Sequence, residues 1–347
     1  MKVQEKYIKR CIELAKNGLG TTYPNPLVGC VVVYENKIIG EGWHKKSGEA
    51  HAEVVAINSV KNKDLLKNAT IYVSLEPCSH FGKTPPCADL IVKYKIPNVV
   101  IGTIDPNSKV AGTGVKKLIE AGIKVTVGIL EDECNELNKR FFTFHQKKRP
   151  FIILKWAESS DGFISPNFKS EQKPIWITNE FSRQLVHKWR SEEQAILVGT
   201  QTVIDDNPTL TVRDWVGKNP IRIVIDRNNK ISKESYIFDN QAQTIVFSNL
   251  EIQSEVAHIK YVKIDFNKNS TEQIVAFLYE NQIQSVIIEG GRHTIQSFID
   301  KNIWVEARVF QGDVYLENGT KAPILNSKKN TKQTIKNDTL LIFRNYD

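Results

Sequence analysis

The feature that most limits how this chain can fold is a split constellation, His51-Ala52-Glu53 followed by Pro77-Cys78 and Pro86-Cys87. One histidine and two cysteines can hold zinc with its fourth position open, and a water held there has its pKa lowered to about 7. Separate segments must therefore converge on one point, each presenting its ligand from a rigid element. Glu53 is placed beside them to carry a proton from that water to a departing amine. Together these residues point to hydrolytic release of an amine.

The surrounding pattern supplies the elements. Tyr7, Ile8, Cys11, Ile12, Leu14 and Ala15 fall at helical spacing and end at Asn17-Gly18. Cys30 to Tyr34 and Lys37 to Gly40 flank Glu35-Asn36 as a hairpin. Helices are predicted over His51–Val60, Cys87–Tyr94 and Val115–Ala121, and strands over Thr70–Leu75, Val99–Gly102 and Lys124–Gly128. This alternation predicts an α/β layer sandwich with a partly parallel sheet. His51 and Cys87 each fall in the first turn of a helix, where the positive helix end stabilises a thiolate. Gln146 to Pro150 is charged and reads as a linker, so the expected organisation is residues 1–145, a linker 146–150, and residues 151–347. In the last of these, strands are predicted at Phe151–Trp156, Ala195–Val198, Ile221–Ile225, Thr244–Phe247 and Ser285–Glu289, with helices over Phe181–Trp189 and Arg292–Ile299.

Composition narrows the setting. The chain is long enough for two domains, and no apolar run approaches the length that crosses a bilayer. Residues 1–6 lack the apolar stretch of a secretory signal. With Cys78 and Cys87 assigned to metal, Cys11, Cys30 and Cys134 remain, an odd number that argues against a disulfide framework. A cytoplasmic protein is expected. The net charge of +8 suits either a nucleic-acid surface or small phosphorylated substrates, and the lysines are too scattered to choose.

His-x-Glu followed by Pro-Cys is the signature of zinc deaminases of nucleobases and related rings. The residues around it are more specific. Pro24-Asn25-Pro26-Leu27-Val28-Gly29-Cys30, Gly42-Trp43-His44, the long run Leu75 to Cys87, Asp105-Pro106-Asn107 and Gly112-Thr113-Gly114 closely resemble the riboflavin-biosynthesis deaminases. That resemblance implies a cytidine-deaminase-like three-layer sandwich, zinc on His51, Cys78 and Cys87, and Glu53 as the catalytic acid–base. It implies a diaminopyrimidinone substrate bearing a phosphoribosylamino group, contacted by Asn25, His44, Lys83, Asp105 and Asn107. Taken singly, Asn25 also reads as a turn residue between prolines and Lys83 as a solvated loop charge.

The second half is similar to the reductase of the same family, whose fold resembles dihydrofolate reductase. The stretches that carry this are Lys155 to Gly162, Trp176-Ile177-Thr178, Val198 to Pro208, Leu210-Thr211-Val212-Arg213 and Ile287 to Gly291. The resemblance implies NADPH against Ala157, Trp176, Thr202, Asp206 and the run Gly291, Arg292, His293, Thr294, Ile295, Gln296 and Ser297. It implies substrate against Arg190, Leu210, Arg213 and Glu289, and assembly as a homo-oligomer through this half. Glycines after an apolar strand admit a phosphate to the following helix N-terminus, although no full G-x-G-x-x-G follows any strand. The chain departs from the family pattern at Pro174 and over Val305–Phe310. Two other readings fit parts of the sequence: a nucleic-acid-editing zinc deaminase, and an active deaminase with a non-catalytic reductase-like domain.

Overall fold

The computed structural model describes residues 3–81, 85–107, 111–169, 171–327 and 330–345. The chain forms two compact units, Met1–Lys148 and Arg149–Asp347.

In the first unit the order is α1 (Val3–Ala15), β1 (Gly29–Tyr34), β2 (Lys37–Trp43), α2 (Ala52–Ser59), β3 (Thr70–Leu75), α3 (Cys87–Lys93), β4 (Asn98–Thr103), α4 (Thr113–Glu120), β5 (Lys124–Val127), α5 (Glu131–Leu137) and α6 (Lys139–Lys147). The sheet order is β2-β1-β3-β4-β5. β1 pairs antiparallel with both β2 and β3, and β3, β4 and β5 are parallel. Alternation along the strands sorts two cores onto opposite faces. Cys30 and Val32 pack with Ala56 and Ile57 of α2 and Ile91 of α3, while Val31 and Val33 pack with Ile8 and Ile12 of α1 and Leu137 of α5. This is the partly parallel layer sandwich that the alternation predicts, in the three-layer form that the family resemblance implies, with its parallel half on the β3 side.

Two details differ from the sequence reading. His51 is the extended residue that caps α2 instead of lying within its first turn. Gln146 and Lys147, read as linker, close the last turn of α6, and the left-handed Lys148 ends it. A capping position suits His51, because its ring is then free of the helical wall.

The second unit runs β6 (Phe151–Glu158), β7 (Phe163–Ser165), α7 (Glu180–Glu192), β8 (Ala195–Gly199), α8 (Thr200–Asp206), β9 (Ile221–Ile225), β10 (Thr244–Ser248), β11 (Ile259–Lys263), α9 (Ser270–Glu280), β12 (Ser285–Ile288), α10 (Arg292–Asp300), β13 (Glu306–Gln311), β14 (Thr320–Lys321), β15 (Asn330–Ile335) and β16 (Asp338–Arg344). Its main sheet has the order β11-β10-β9-β8-β12-β6-β13-β16-β15. It is parallel from β11 to β13 and closes with antiparallel pairings of β16 to β13 and β15. Val305–Phe310, where the chain departs from the family pattern, is thus mostly a central strand. β12 lies between β8 and β6, so the chain order reverses there, and the crevice at such strand ends is where open α/β sheets bind ligands.

Candidate active sites

In the first unit the split constellation comes together. β3 ends at Leu75 and delivers Cys78 from the following loop, Pro86 caps α3 and Cys87 is its first residue, and His51 caps α2. His51 Nδ1 lies 3.5 Å from Cys78 Sγ and 3.3 Å from Cys87 Sγ. The three donor atoms all lie within 4.8 Å of one another. With Zn–S of about 2.3 Å and Zn–N of about 2.0–2.1 Å, tetrahedral geometry puts such ligand atoms about 3.6–3.8 Å apart. The donor set therefore fits zinc. Contact with Cys87, against the pull of burial, and contact with His51 favour the Cys78 thiolate, while contact with Cys78 and then burial push Cys87 up.

Glu53 sits in the first turn of α2, buried against this cluster. Burial and then the Cys78 charge push its carboxyl up to about 7. His44 packs edge-on to the His51 ring with centroids 5.4 Å apart. Its Nδ1 meets the Ala50 carbonyl at 3.1 Å, so that nitrogen carries the proton, and Nε2 accepts from Asn25 Nδ2 at 3.1 Å. Burial lowers the His44 pKa, which keeps this neutral arrangement. Asp105 follows β4, and its Oδ1 accepts from the Asn107 backbone at 2.8 Å. Burial pushes the Asp105 carboxyl up to about 6. Lys83 lies outside the described residues.

The reading from sequence missed Glu76. This buried carboxylate accepts from four backbone N–H groups: Asp105 at 3.3 Å and Gly112 at 2.9 Å on Oε2, Gly114 at 2.9 Å and Val115 at 3.2 Å on Oε1. A Cβ on Gly114 would stand 2.0 Å from the Pro77 carbonyl, so only glycine admits this approach. Glu76 thus ties the strand that leads to Cys78 to the loop carrying Asp105 and to the start of α4. Its place two residues before a metal ligand was the available signal.

The second unit carries two clefts that share a wall. The first, about 810 Å³, opens at the carboxyl ends of β6, β8 and β12 and is lined by Ala157, Thr202, Asp206 and Gly290 to Thr294. A Cβ on Gly290 would come 2.9 Å from Thr294 Cβ, and Gly291 donates its N–H to Thr202 Oγ1 at 3.0 Å. The bare backbone at the start of α10 therefore suits a dinucleotide phosphate. Gln296 also faces this cleft, whereas Ile295 points into the core and Ser297 donates to the Thr294 carbonyl at 2.7 Å. Asp206 is paired with Lys169.

The second cleft, about 580 Å³, is lined by Trp176, Arg190, Leu210, Arg213 and Glu289. Trp176, predicted with the cofactor residues, lines this cleft and not the first. Arg190 Nη2 meets Glu289 Oε2 at 2.8 Å, and Lys155 Nζ stands 3.9 Å from the same oxygen. Burial pushes the Glu289 carboxyl up, but Arg190 and Lys155 overcome it and hold it at about 2. Leu210 is buried with a positive φ of 54°, in a loop whose Pro208, Thr209 and Arg213 also line this cleft. Lys155 and Pro174 line both clefts. Lys155 was also missed as a site residue, although it heads the first reductase-like stretch.

Comparison with known proteins bears directly on these two units. Residues 1–103 match the family described as the cytidine and deoxycytidylate deaminase zinc-binding region, and residues 150–338 match the RibD C-terminal domain. The riboflavin biosynthesis protein RibD of Aquifex aeolicus is 39% identical over 99% of both chains, and that of Bacillus amyloliquefaciens is 40% identical over 93% of this chain and 88% of its own. The chain belongs to the RibD family. A solved structure from Thermotoga maritima, described as a diaminohydroxyphosphoribosylaminopyrimidine deaminase/5-amino-6-(5-phosphoribosylamino)uracil reductase, superimposes with a TM-score of 0.90 at 39% identity over 99% of both chains. RibD of Acinetobacter baumannii gives 0.87 at 32% identity, over 100% of this chain and 99% of its own. RibD membership makes the chain a bifunctional riboflavin-biosynthesis enzyme, with a deaminase in the first unit and a reductase in the second. A nucleic-acid-editing deaminase leaves the RibD match over residues 150–338 without an account.

Proposed function

We propose that this enzyme deaminates a diaminopyrimidinone carrying a phosphoribosylamino group, then uses NADPH to reduce the ribosyl to a ribityl chain. The observation that carries this is the pairing, in one RibD chain, of a His51/Cys78/Cys87 donor set beside buried Glu53 with a second-unit cleft lined by Glu289, Arg190 and Arg213.

In the first unit His51, Cys78 and Cys87 hold zinc, which supplies the Lewis acidity that makes a water nucleophilic near neutral pH. Glu53 takes that water's proton and returns it to the departing ammonia. His44, fixed in one tautomer by Ala50, orients Asn25 toward the ring being attacked. Asp105, Asn107 and Lys83 bind the rest of the substrate.

In the second unit NADPH supplies the hydride. Thr202, Asp206 and the start of α10 would hold the dinucleotide, in a cleft that Ala157 also lines. Glu289 orients Arg190, and Arg190, Arg213 and Leu210 bind the substrate. Trp176 lines the substrate cleft, while its neighbours Ile175 and Ile177 line both clefts.

Functional boundaries follow these sites: a deaminase over residues 1–145 and a reductase over 151–347. Family resemblance supports a homo-oligomer joined through the reductase half, tested by light scattering of the full chain. Among the described residues no helix is long and apolar enough to cross a membrane. All five cysteines are free, which fits a reducing cytoplasm and is tested by cell fractionation. The substrate assignment is tested by mass spectrometry of the products. Incubation without NADPH should stop at the deaminated ribosyl compound, and added NADPH should convert it to the ribityl compound. Recovery of unchanged diaminopyrimidinone from zinc-loaded enzyme would contradict it.

A further inference from the structure

Helix α7 carries Arg183, His187 and Arg190 at spacings of four and three, one stripe of a helix, and all three line the second cleft. Their charges are committed differently. Arg190 is neutralised by Glu289 at 2.8 Å. His187 is held neutral by burial and then by Arg190 and Arg213, which push it down to about 4. Arg213 donates its side chain to Thr209 Oγ1 and its backbone N–H to His187 Nδ1 at 3.1 Å.

Arg183 is the exception. Its guanidinium stacks over the Trp176 ring at 4.3 Å, and its Nε is buried with no hydrogen-bond partner. The side chain makes no ion pair among the described residues; Glu180, the acid whose charge it feels, is bonded instead to Lys336 at 2.7 Å. Stacking on an indole fixes the plane of a guanidinium and leaves its edge N–H groups to meet an anion in that plane. A buried donor without a partner is costly, and a ligand oxygen can remove that cost.

We propose that Arg183 is a third guanidinium of the reductase substrate site, binding the phosphate of the substrate alongside Arg190 and Arg213. This rests on reading the second cleft as the site of a phosphorylated substrate. Arg190 is already answered by Glu289, so the uncommitted charge needed for a dianion comes from Arg183 and Arg213.

The test uses Arg183→Gln and Arg183→Lys in the full zinc-loaded chain. NADPH oxidation is measured with the deaminated phosphorylated intermediate and with its dephosphorylated counterpart, and ammonia release serves as a control in the other unit. Losing a charge-assisted hydrogen bond predicts a rise of about 10- to 100-fold in KM for the phosphorylated compound in Arg183→Gln. Arg183→Lys should recover part of it. In Arg183→Gln, kcat, KM for NADPH and ammonia release should hold, and inorganic phosphate should inhibit more weakly than in the parent enzyme. An equal loss on both compounds, or a rise in KM for NADPH, would overturn the assignment, the latter showing that Arg183 acts through Trp176. If the parent enzyme reduces neither compound, the reading of the cleft fails and this assignment with it; an active parent with an indifferent Arg183→Gln sinks only the assignment.

Discussion

Arg190 meets Glu289, which lines both clefts of the reductase unit, at 2.8 Å, with Lys155 3.9 Å from the same carboxylate oxygen. One buried acid thus balances two cations drawn from different elements, α7 and β6. The account predicts that Glu289→Gln leaves both cations uncompensated, which typically costs about 3–5 kcal/mol for a buried pair. Thermal unfolding of the second unit should fall accordingly, NADPH oxidation should be lost, and ammonia release should persist. Retained reductase activity would remove Glu289 from the site.

His187 supplies a pH-dependent stability. Its folded pKa is pushed down to about 4 from 6.5 by burial first and then by Arg190 and Arg213. The unfolded chain therefore binds this proton more readily. The stabilisation is complete above pH 6.5 and is lost as the pH falls toward 4, an effect on the order of 2 kcal/mol. Urea unfolding followed by tryptophan fluorescence reports on this unit, since every tryptophan except Trp43 lies in it. The midpoint should drop between neutral and acidic buffer, and His187→Asn should flatten that slope. A parallel slope in the variant would assign the effect elsewhere.

In the deaminase unit the acid–base role and the ligand role separate cleanly. Glu53→Gln should slow ammonia release by about 100-fold or more with zinc content unchanged, because the carboxylate moves protons and is not a ligand. Cys87→Ser should instead lose the metal. Metal analysis of the two purified variants checks both outcomes, and a full zinc equivalent in Cys87→Ser would strike Cys87 from the donor set.

Glu76 is a positioning residue by its geometry, accepting four backbone N–H groups from Asp105 and the start of α4. Glu76→Gln turns one acceptor into a donor facing two of those N–H groups, at about 1–3 kcal/mol for each unsatisfied group. The first unit should be less stable, and KM for deamination should rise while zinc is retained. Zinc lost in proportion to activity would show that Glu76 serves the metal site alone.

Much of this was legible from the chain because its signals were strong and local. α1 announces itself by six apolar residues at helical spacing, and the metal donors by two proline–cysteine pairs. Other elements hid for physical reasons. α5 reads Glu131-Asp132-Glu133-Cys134-Asn135-Glu136-Leu137 and buries only Cys134 and Leu137, too narrow a stripe to stand out. β13 carries Glu306 and Arg308 inside the sheet, where Arg308 Nε answers Glu306 Oε1 at 2.6 Å. Charges that satisfy one another look like a surface segment until the partner is seen. Ile295 was swept into the cofactor run by motif position, but helical geometry turns it into the core. Lys155 and Glu76 escaped notice because their roles come from partners distant in sequence.

The most direct test of two linked activities in one chain is to follow ammonia release and NADPH absorbance together on the diaminopyrimidinone ribosylamino phosphate. The account predicts ammonia release without NADPH, then NADPH oxidation on its addition, limited by the amount of deaminated product already formed. Ammonia release with no oxidation would reduce the second unit to a binding role, and oxidation with no prior ammonia release would contradict the proposed order.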